Sequence, residues 1–172
     1  MNHNPYVPYV EKFSNSKEFS YLATFFNDHG FYTHIKENTE EYVNFWKDVK
    51  NKCLYGFTNS KGFKITGHHF FYLNFCRISG YDPIIGKKTE MFPNFTDLDY
   101  EYFHMIEYCE KNQKCLVALK GRRQGWSYKA AAICSWEFSF FPSSNSIIGT
   151  FLSSFALTTS SWAYTCRRAG TT

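Results

Sequence analysis

Hydrophobic and polar residues follow a helical period in two segments near the start of the chain. Residues 16–27 predict a short amphipathic helix, with Ser14 or Ser16 as its N-cap and Gly30 as its stop. Residues 40–57 predict a second, longer helix with the same period. The positions of this second helix that are expected to face the core are Tyr42, Phe45, Trp46, Val49, Cys53 and Leu54.

The middle of the chain is rich in aromatic residues, and its pattern leaves two interpretations open. Residues 65–78 (ITGHHFFYLNFCRI) fit either a buried strand or a short helix followed by a strand. The glycines and prolines that follow have the composition of a linker. We therefore predict a boundary near residue 90, between a mainly helical or mixed N-terminal region (residues 1–90) and the remainder (residues 91–172).

The pattern beyond this boundary predicts helices alternating with strands, which is an α/β architecture. Thr96 is the expected N-cap of a helix that ends near Asn112. An apolar strand is predicted at residues 115–119, and a second helix at residues 126–138. Residues 146–152 (SIIGTFL) then predict a further strand.

The segment between the predicted strand and helix has the layout of a phosphate-binding loop. Residues 120–127 read KGRRQGWS. Gly121 and Gly125 allow the backbone to approach an anion closely. The N-terminus of the following helix adds backbone N–H groups and a dipole that favours negative charge.

The loop differs from the usual pattern in the position of its positive charge. Trp126 stands where a phosphate-binding loop normally has the lysine that reaches the β- and γ-phosphates. Lys120, Arg122 and Arg123 are the cations that could replace it, and Lys120 is the best candidate because it is the only lysine inside the turn. Ser127 stands where the hydroxyl that ligates Mg²⁺ is found.

The segment KGRRQGWSYKAAA resembles the deviant Walker A segment of large terminase subunits, the ATP-driven DNA-packaging motors of tailed bacteriophages. In that family the lysine is often displaced to the beginning of the motif, which is the position of Lys120, and an aromatic residue follows the second glycine. Arg122 and Arg123 cover the positions of an arginine thought to act on the γ-phosphate, and either could do so. The resemblance implies an ATP site formed by Lys120, Gly121, Arg122, Arg123, Gln124, Gly125, Trp126, Ser127 and Tyr128.

The resemblance extends upstream, because residues 67–74 and 93–101 look like the N-terminal run of such terminases. It implies a P-loop NTPase core that binds ATP and Mg²⁺ and drives double-stranded phage DNA into a procapsid. The implied partners are the portal and the small terminase subunit, with homo-oligomerisation when the motor is complete. The implied location is the host cytoplasm, transiently at the procapsid portal.

A packaging ATPase also needs carboxylates that hold Mg²⁺ and orient the attacking water. After Ser127 the sequence has one acidic residue, Glu137, and it falls inside a predicted helix. The Walker B element and the carboxylate cluster of the terminase nuclease are therefore missing from this chain. We therefore expect the chain to be the beginning of a motor that binds nucleotide but is catalytically incomplete. It could have arisen by natural truncation, a split gene or an early stop, or the sequence could be incomplete.

Composition leaves room for two other hypotheses. The chain has a net charge of +4 and is 21% aromatic, which also suits a non-catalytic, basic nucleic-acid-binding module. A non-functional fragment with an unpaired strand edge is the third possibility. The six cysteines form no CxxC pair and no long apolar run is present, so we expect reduced thiols in a cytosolic compartment and no membrane span.

Three smaller groups of residues each allow a functional and a structural interpretation. His68 and His69 could bind a metal, but adjacent histidines point in different directions. The acidic residues at 97, 99 and 101 could form a metal site, although an acidic first helical turn accounts for them more simply. The aromatic residues Phe70, Phe71, Tyr72 and Phe75 could stack on adenine or pack in a core.

Overall fold

The computed structural model describes residues 5, 7, 16–83, 85–118, 125–142, 145–150 and 162–167. The chain divides by contacts into two compact units, Met1–Met105 and Ile106–Thr172. The domain boundary predicted near residue 90 stays a prediction. In chain order the elements are a 3₁₀ helix (Ser16–Ser20), α1 (Tyr21–His29), α2 (Glu40–Tyr55), β1 (Phe57–Thr58), β2 (Lys64–Ile65), α3 (Gly67–Phe75), β3 (Ile78–Asp82), β4 (Lys87–Met91), α4 (Asp97–Lys111), α5 (Trp126–Phe140), β5 (Asn145–Thr150) and β6 (Trp162–Arg167).

The fold is mixed α/β, and in the described part of the chain its strands form three two-stranded antiparallel pairs. Strand β1 pairs with β2, β3 with β4, and β5 with β6. Each strand therefore pairs with the strand next to it in the sequence. The predicted α/β class is confirmed at this level.

The predicted N-terminal helix is present, but it begins differently. A 3₁₀ helix occupies Ser16–Ser20, and the α-helical bonds start only at Tyr21. The side chain of the N-cap residue, Ser20, makes no capping hydrogen bond to the first N–H groups of α1. The helix ends as predicted at Gly30, whose φ of 80° is left-handed and whose N–H donates to the carbonyl of Phe26 at 2.8 Å.

The missing cap of α1 is supplied by Asn74, a fully buried residue of α3. Its Oδ1 accepts hydrogen bonds from the N–H groups of Leu22 (3.1 Å) and Ala23 (3.2 Å). Its Nδ2 donates to the carbonyls of Phe19 (2.8 Å) and Phe70 (2.9 Å). One side chain therefore satisfies two helix-start donors and joins α1, the 3₁₀ helix and α3.

Helices α2 and α4 begin where the sequence predicts. The Thr39 hydroxyl accepts from the N–H of Tyr42 at 3.2 Å, and the Thr96 hydroxyl accepts from the N–H of Asp99 at 3.1 Å. In α2, Val49 and Cys53 are buried. The other four positions predicted to face the core are half-buried, namely Tyr42, Phe45, Trp46 and Leu54.

Helix α3 and strand β3 confirm the second of the two interpretations of residues 65–78. Thr66 caps α3 by accepting from the N–H of His69 at 3.3 Å. The helix starts at Gly67, where a Cβ would collide with the backbone carbonyl of Cys53 at the end of α2. Glycine at this position therefore lets α2 and α3 approach each other closely.

A column of four aromatic rings fills the core of the first unit. Phe95 stacks on Phe19 (centroids 5.3 Å apart, 29° between planes) and on His69 (5.3 Å, 19°). His69 also stacks on Phe103 (4.9 Å, 22°). His69 is fully buried, so its imidazole acts as a flat packing element of this core.

The segment predicted as a linker is a β-hairpin. Strands β3 and β4 pair from Ile78 opposite Met91 to Asp82 opposite Lys87. In the turn, the Asp82 carboxylate accepts from the N–H of Ile85 at 3.2 Å, and Gly86 has a left-handed φ of 69°. The prediction was wrong because glycine and proline that suggest a linker also build tight turns.

The strand predicted at residues 115–119 is not formed in the part that the structure describes. Residues 114–118 have no regular secondary structure, and the Val117 side chain is 85% exposed. Strands are stable only when neighbours pair with them, and β5 pairs with β6 instead. The helix predicted at residues 126–138 is confirmed, and α5 extends to Phe140.

Replacement of Asn74 by alanine is expected to destabilise the first unit by about 2–4 kcal/mol, because two buried N–H groups and two carbonyls lose their partner. Urea unfolding of the full chain measures this change. Asn112→Ala is the matched control, since its amide bonds one exposed carbonyl and should cost below about 1 kcal/mol. Equal losses in the two variants would show that Asn74 has no special role.

Gly67→Ala is expected to destabilise the protein by about 1–3 kcal/mol, because the new Cβ would push α2 away from α3. Gly80→Ala provides a comparison, since its Cβ would meet only the flexible side chain of Met91. The thermal unfolding midpoints of the two variants decide the point. If Gly80→Ala lowers the unfolding midpoint as much as Gly67→Ala does, the contact between α2 and α3 does not specifically require glycine.

Candidate functional site

The predicted phosphate-binding loop is described at its C-terminal end only. Gly125, Trp126, Ser127 and Tyr128 are described, and they form the start of α5. The other five predicted site residues lie outside the described residues, namely Lys120, Gly121, Arg122, Arg123 and Gln124. The geometry of the site is therefore the geometry of the helix start.

Gly125 turns the chain into α5. Its φ of 68° and ψ of 14° are left-handed, and its carbonyl accepts from the N–H groups of Tyr128 (3.1 Å) and Lys129 (3.2 Å). A Cβ here would meet no atom within 4 Å, so the backbone conformation, and not space, favours glycine. The cap residue has no side chain, so the first N–H groups of α5 receive no capping hydrogen bond from it.

The side chains of the first turn differ in their exposure. Ser127 is exposed, Tyr128 is 40% exposed, and Trp126 is half-buried. The Ser127 hydroxyl is therefore accessible to a ligand or a metal ion at the helix start. Trp126 has the partial burial expected of a packing aromatic.

Lys129 is a charged residue of this turn that no sequence motif indicated as part of the site. It is only 3% exposed, and its Nζ lies 5.6 Å from the centre of the Trp126 ring. A buried ammonium needs compensation from its surroundings, and the face of the indole supplies part of it. Lys129 follows Trp126 by three residues on a predicted helix, and this spacing could have indicated the contact.

Helix α5 buries one stripe of residues at helical spacing. The stripe consists of Lys129, Ala132, Ile133, Trp136 and Glu137. Glu137 is 4% exposed, whereas the neighbouring Phe138 is 83% exposed. The carboxylate that follows the loop in sequence thus lies on the buried face of a helix, whereas a Walker B carboxylate lies at the end of a strand.

The aromatic and histidine candidates of the first unit are packing residues. Phe70 and Tyr72 are buried, and Phe71 and Phe75 are half-buried. His68 is buried next to His69 in α3. The buried rings of Phe70 and Tyr72 do not offer adenine an open face.

The acidic residues at the start of α4 occupy its first turn. Asp97 and Asp99 complement the helix dipole there, and Asp99 is 5% exposed. Among the described residues, no three His, Cys, Asp or Glu side chains are grouped so that they could hold a metal ion. The Mg²⁺ contact expected of Ser127 stays a prediction.

Two cysteines of the first unit are held in the thiol form. Burial raises the pKa of Cys53 and of Cys76 to about 12. Because the thiolate is the reactive and metal-binding form, neither side chain is suited to nucleophilic chemistry at neutral pH.

Across the described ranges of the chain, none of the helices combines the length and the apolar character that crossing a bilayer requires. Comparison of the chain with protein-family models, with curated proteins and with solved structures found no match.

Proposed function

We propose that the chain binds Mg·ATP through residues 120–128, as the N-terminal portion of a phage terminase large subunit with a P-loop NTPase core. The observation that carries this proposal is the start of α5. A left-handed Gly125 leads directly into a helix that exposes Ser127 in its first turn. A glycine turn and a helix N-terminus favour bound phosphate.

The charges of the loop suit a triphosphate. Lys120, Arg122 and Arg123 place three cations within four residues of sequence. In the proposed complex Lys120 pairs with the β- and γ-phosphates, and one of the two arginines acts on the γ-phosphate. Ser127 ligates Mg²⁺, and the N–H groups at the start of α5 contact the phosphate oxygens.

Binding, not hydrolysis, is the activity that these residues support. The one carboxylate after Ser127 is Glu137, and it is buried on α5. We propose that hydrolysis and the packaging of double-stranded DNA need carboxylates from elsewhere in a complete motor. The portal, the small terminase subunit, oligomerisation and a location in the host cytoplasm belong to that complete motor.

Lys120→Ala is expected to abolish the weak ATP binding of the full chain, because the triphosphate loses its principal cation. Isothermal titration calorimetry with Mg·ATP measures the affinity. Lys47→Ala removes the same charge from an exposed position on α2 and should bind like the unmodified protein. Equal affinity for ATP in all three proteins would remove the loop from the proposal. DNA binding that Lys120→Ala weakens, without competition from ATP, would favour the nucleic-acid-binding module.

Ser127→Ala is expected to lower ATP affinity in the presence of Mg²⁺ to the level measured in its absence, because the metal loses its protein hydroxyl. Titrations with and without Mg²⁺ test this effect. Ser135→Ala removes another exposed hydroxyl from the same helix and should preserve the dependence on Mg²⁺. The role of Ser127 is refuted if both variants keep that dependence.

A further inference from the structure

We infer that the outer face of the β3–β4 hairpin is a binding surface for single-stranded nucleic acid, with Tyr81 as a stacking platform and Arg77 and Lys88 as phosphate contacts. This inference stands on residues of the first unit alone. It goes beyond the proposed ATP site and does not depend on it.

Alternation along the hairpin separates an outer face from an inner one. Residues 78, 80 and 82 are half-buried, whereas Arg77, Ser79 and Tyr81 are exposed. Tyr81 lies directly opposite Lys88, and Ser79 lies opposite Glu90. Because directly opposed residues share a face, the outer face presents Tyr81, Lys88, Glu90 and Ser79, and the exposed Arg77 directly precedes β3.

Tyr81 has the properties of a stacking residue. Its side chain is 66% exposed, and its strand fixes the direction in which the ring projects. A base can stack on such a ring only if its own face is free, as in a single strand. At the hairpin turn, Ile85 is a second exposed apolar side chain, at 59% exposure.

Arg77 is oriented by two phenyl rings. Its guanidinium carbon lies 4.7 Å from the centre of the Phe92 ring and 5.4 Å from that of Phe26. Within the described residues, neither Arg77 nor Lys88 forms an ion pair with a carboxylate. A guanidinium that lies over an aromatic ring keeps N–H donors available to phosphate oxygens.

The spacing of the cations matches a strand of nucleic acid that runs along the hairpin. Four residues of strand separate Arg77 from Tyr81 and its partner Lys88, which is about 13 Å. A single strand that extends along the face contacts both cations through its phosphates. One of its bases stacks on the Tyr81 ring. Glu90 lies on the same face and opposes the negative backbone, so its charge should weaken binding.

The test is fluorescence anisotropy of the full chain with a labelled single strand of about 15 nucleotides. Oligothymidylate and oligouridylate are compared, and the tighter ligand identifies DNA or RNA as the source of the strand. Tyr81→Ala is expected to weaken binding roughly tenfold through lost stacking. Lys88→Ala should reduce the slope of log affinity against log salt by about 0.7, the value for one single-strand phosphate contact.

Two further variants make the result specific to this face. Glu90→Gln is expected to strengthen binding, because it removes the opposing carboxylate without a change of shape. Lys50→Ala removes an exposed lysine from α2 and should leave the salt slope unchanged. Circular dichroism melts show that each variant is folded, and all four substitutions are at exposed positions.

Three outcomes would overturn the inference. Tyr81→Ala binding the single strands like the unmodified protein would exclude stacking. An equal slope change in Lys50→Ala and Lys88→Ala would indicate general attraction to a basic protein. If a duplex of the same length binds more tightly than the single strands, and Tyr81→Ala does not weaken that binding, the preferred ligand is double-stranded DNA.

Discussion

The first unit depends on one buried amide. The Asn74 side chain makes four hydrogen bonds with backbone groups, two as acceptor and two as donor. It thereby uses the full donor capacity of an asparagine in a place with no access to water. Helix α1 has no cap of its own, so its start is defined by a residue 52 positions away from Leu22. The packing of the aromatic column around Phe19 follows from this fixed position.

Local signals predicted the elements that local interactions stabilise. The hydroxyls of Thr39 and Thr96 accept from N–H groups three residues ahead, so their role is visible in the sequence. The cap of α1 was not predictable in this way, because sequence spacing does not reveal which distant side chain reaches the helix. The hairpin at residues 78–91 was missed for a related reason, since turn residues and linker residues have the same composition.

The candidate site was predictable to the extent that it depends on glycine and helix chemistry. Gly125 was expected to let the backbone approach an anion, and the structure adds a second reason for glycine, the left-handed conformation at the start of α5. Burial was harder to predict, because Lys129 and Glu137 are charged residues on the buried stripe of a helix. The strand predicted at residues 115–119 is not formed over residues 115–118, which the structure describes. An apolar run alone does not specify a strand, because a strand also needs a partner.

The aromatic column has a consequence for the rate at which the protein folds. Its rings come from α3, α4, the 3₁₀ helix and the segment before α4, so the stack from Phe19 to Phe103 joins residues far apart in sequence. Such contacts can form only after long loops have closed, and the lost loop entropy raises the barrier. We expect α2 and α4, which have local caps, to form early, and the column to be completed late, when the first unit acquires its fixed core.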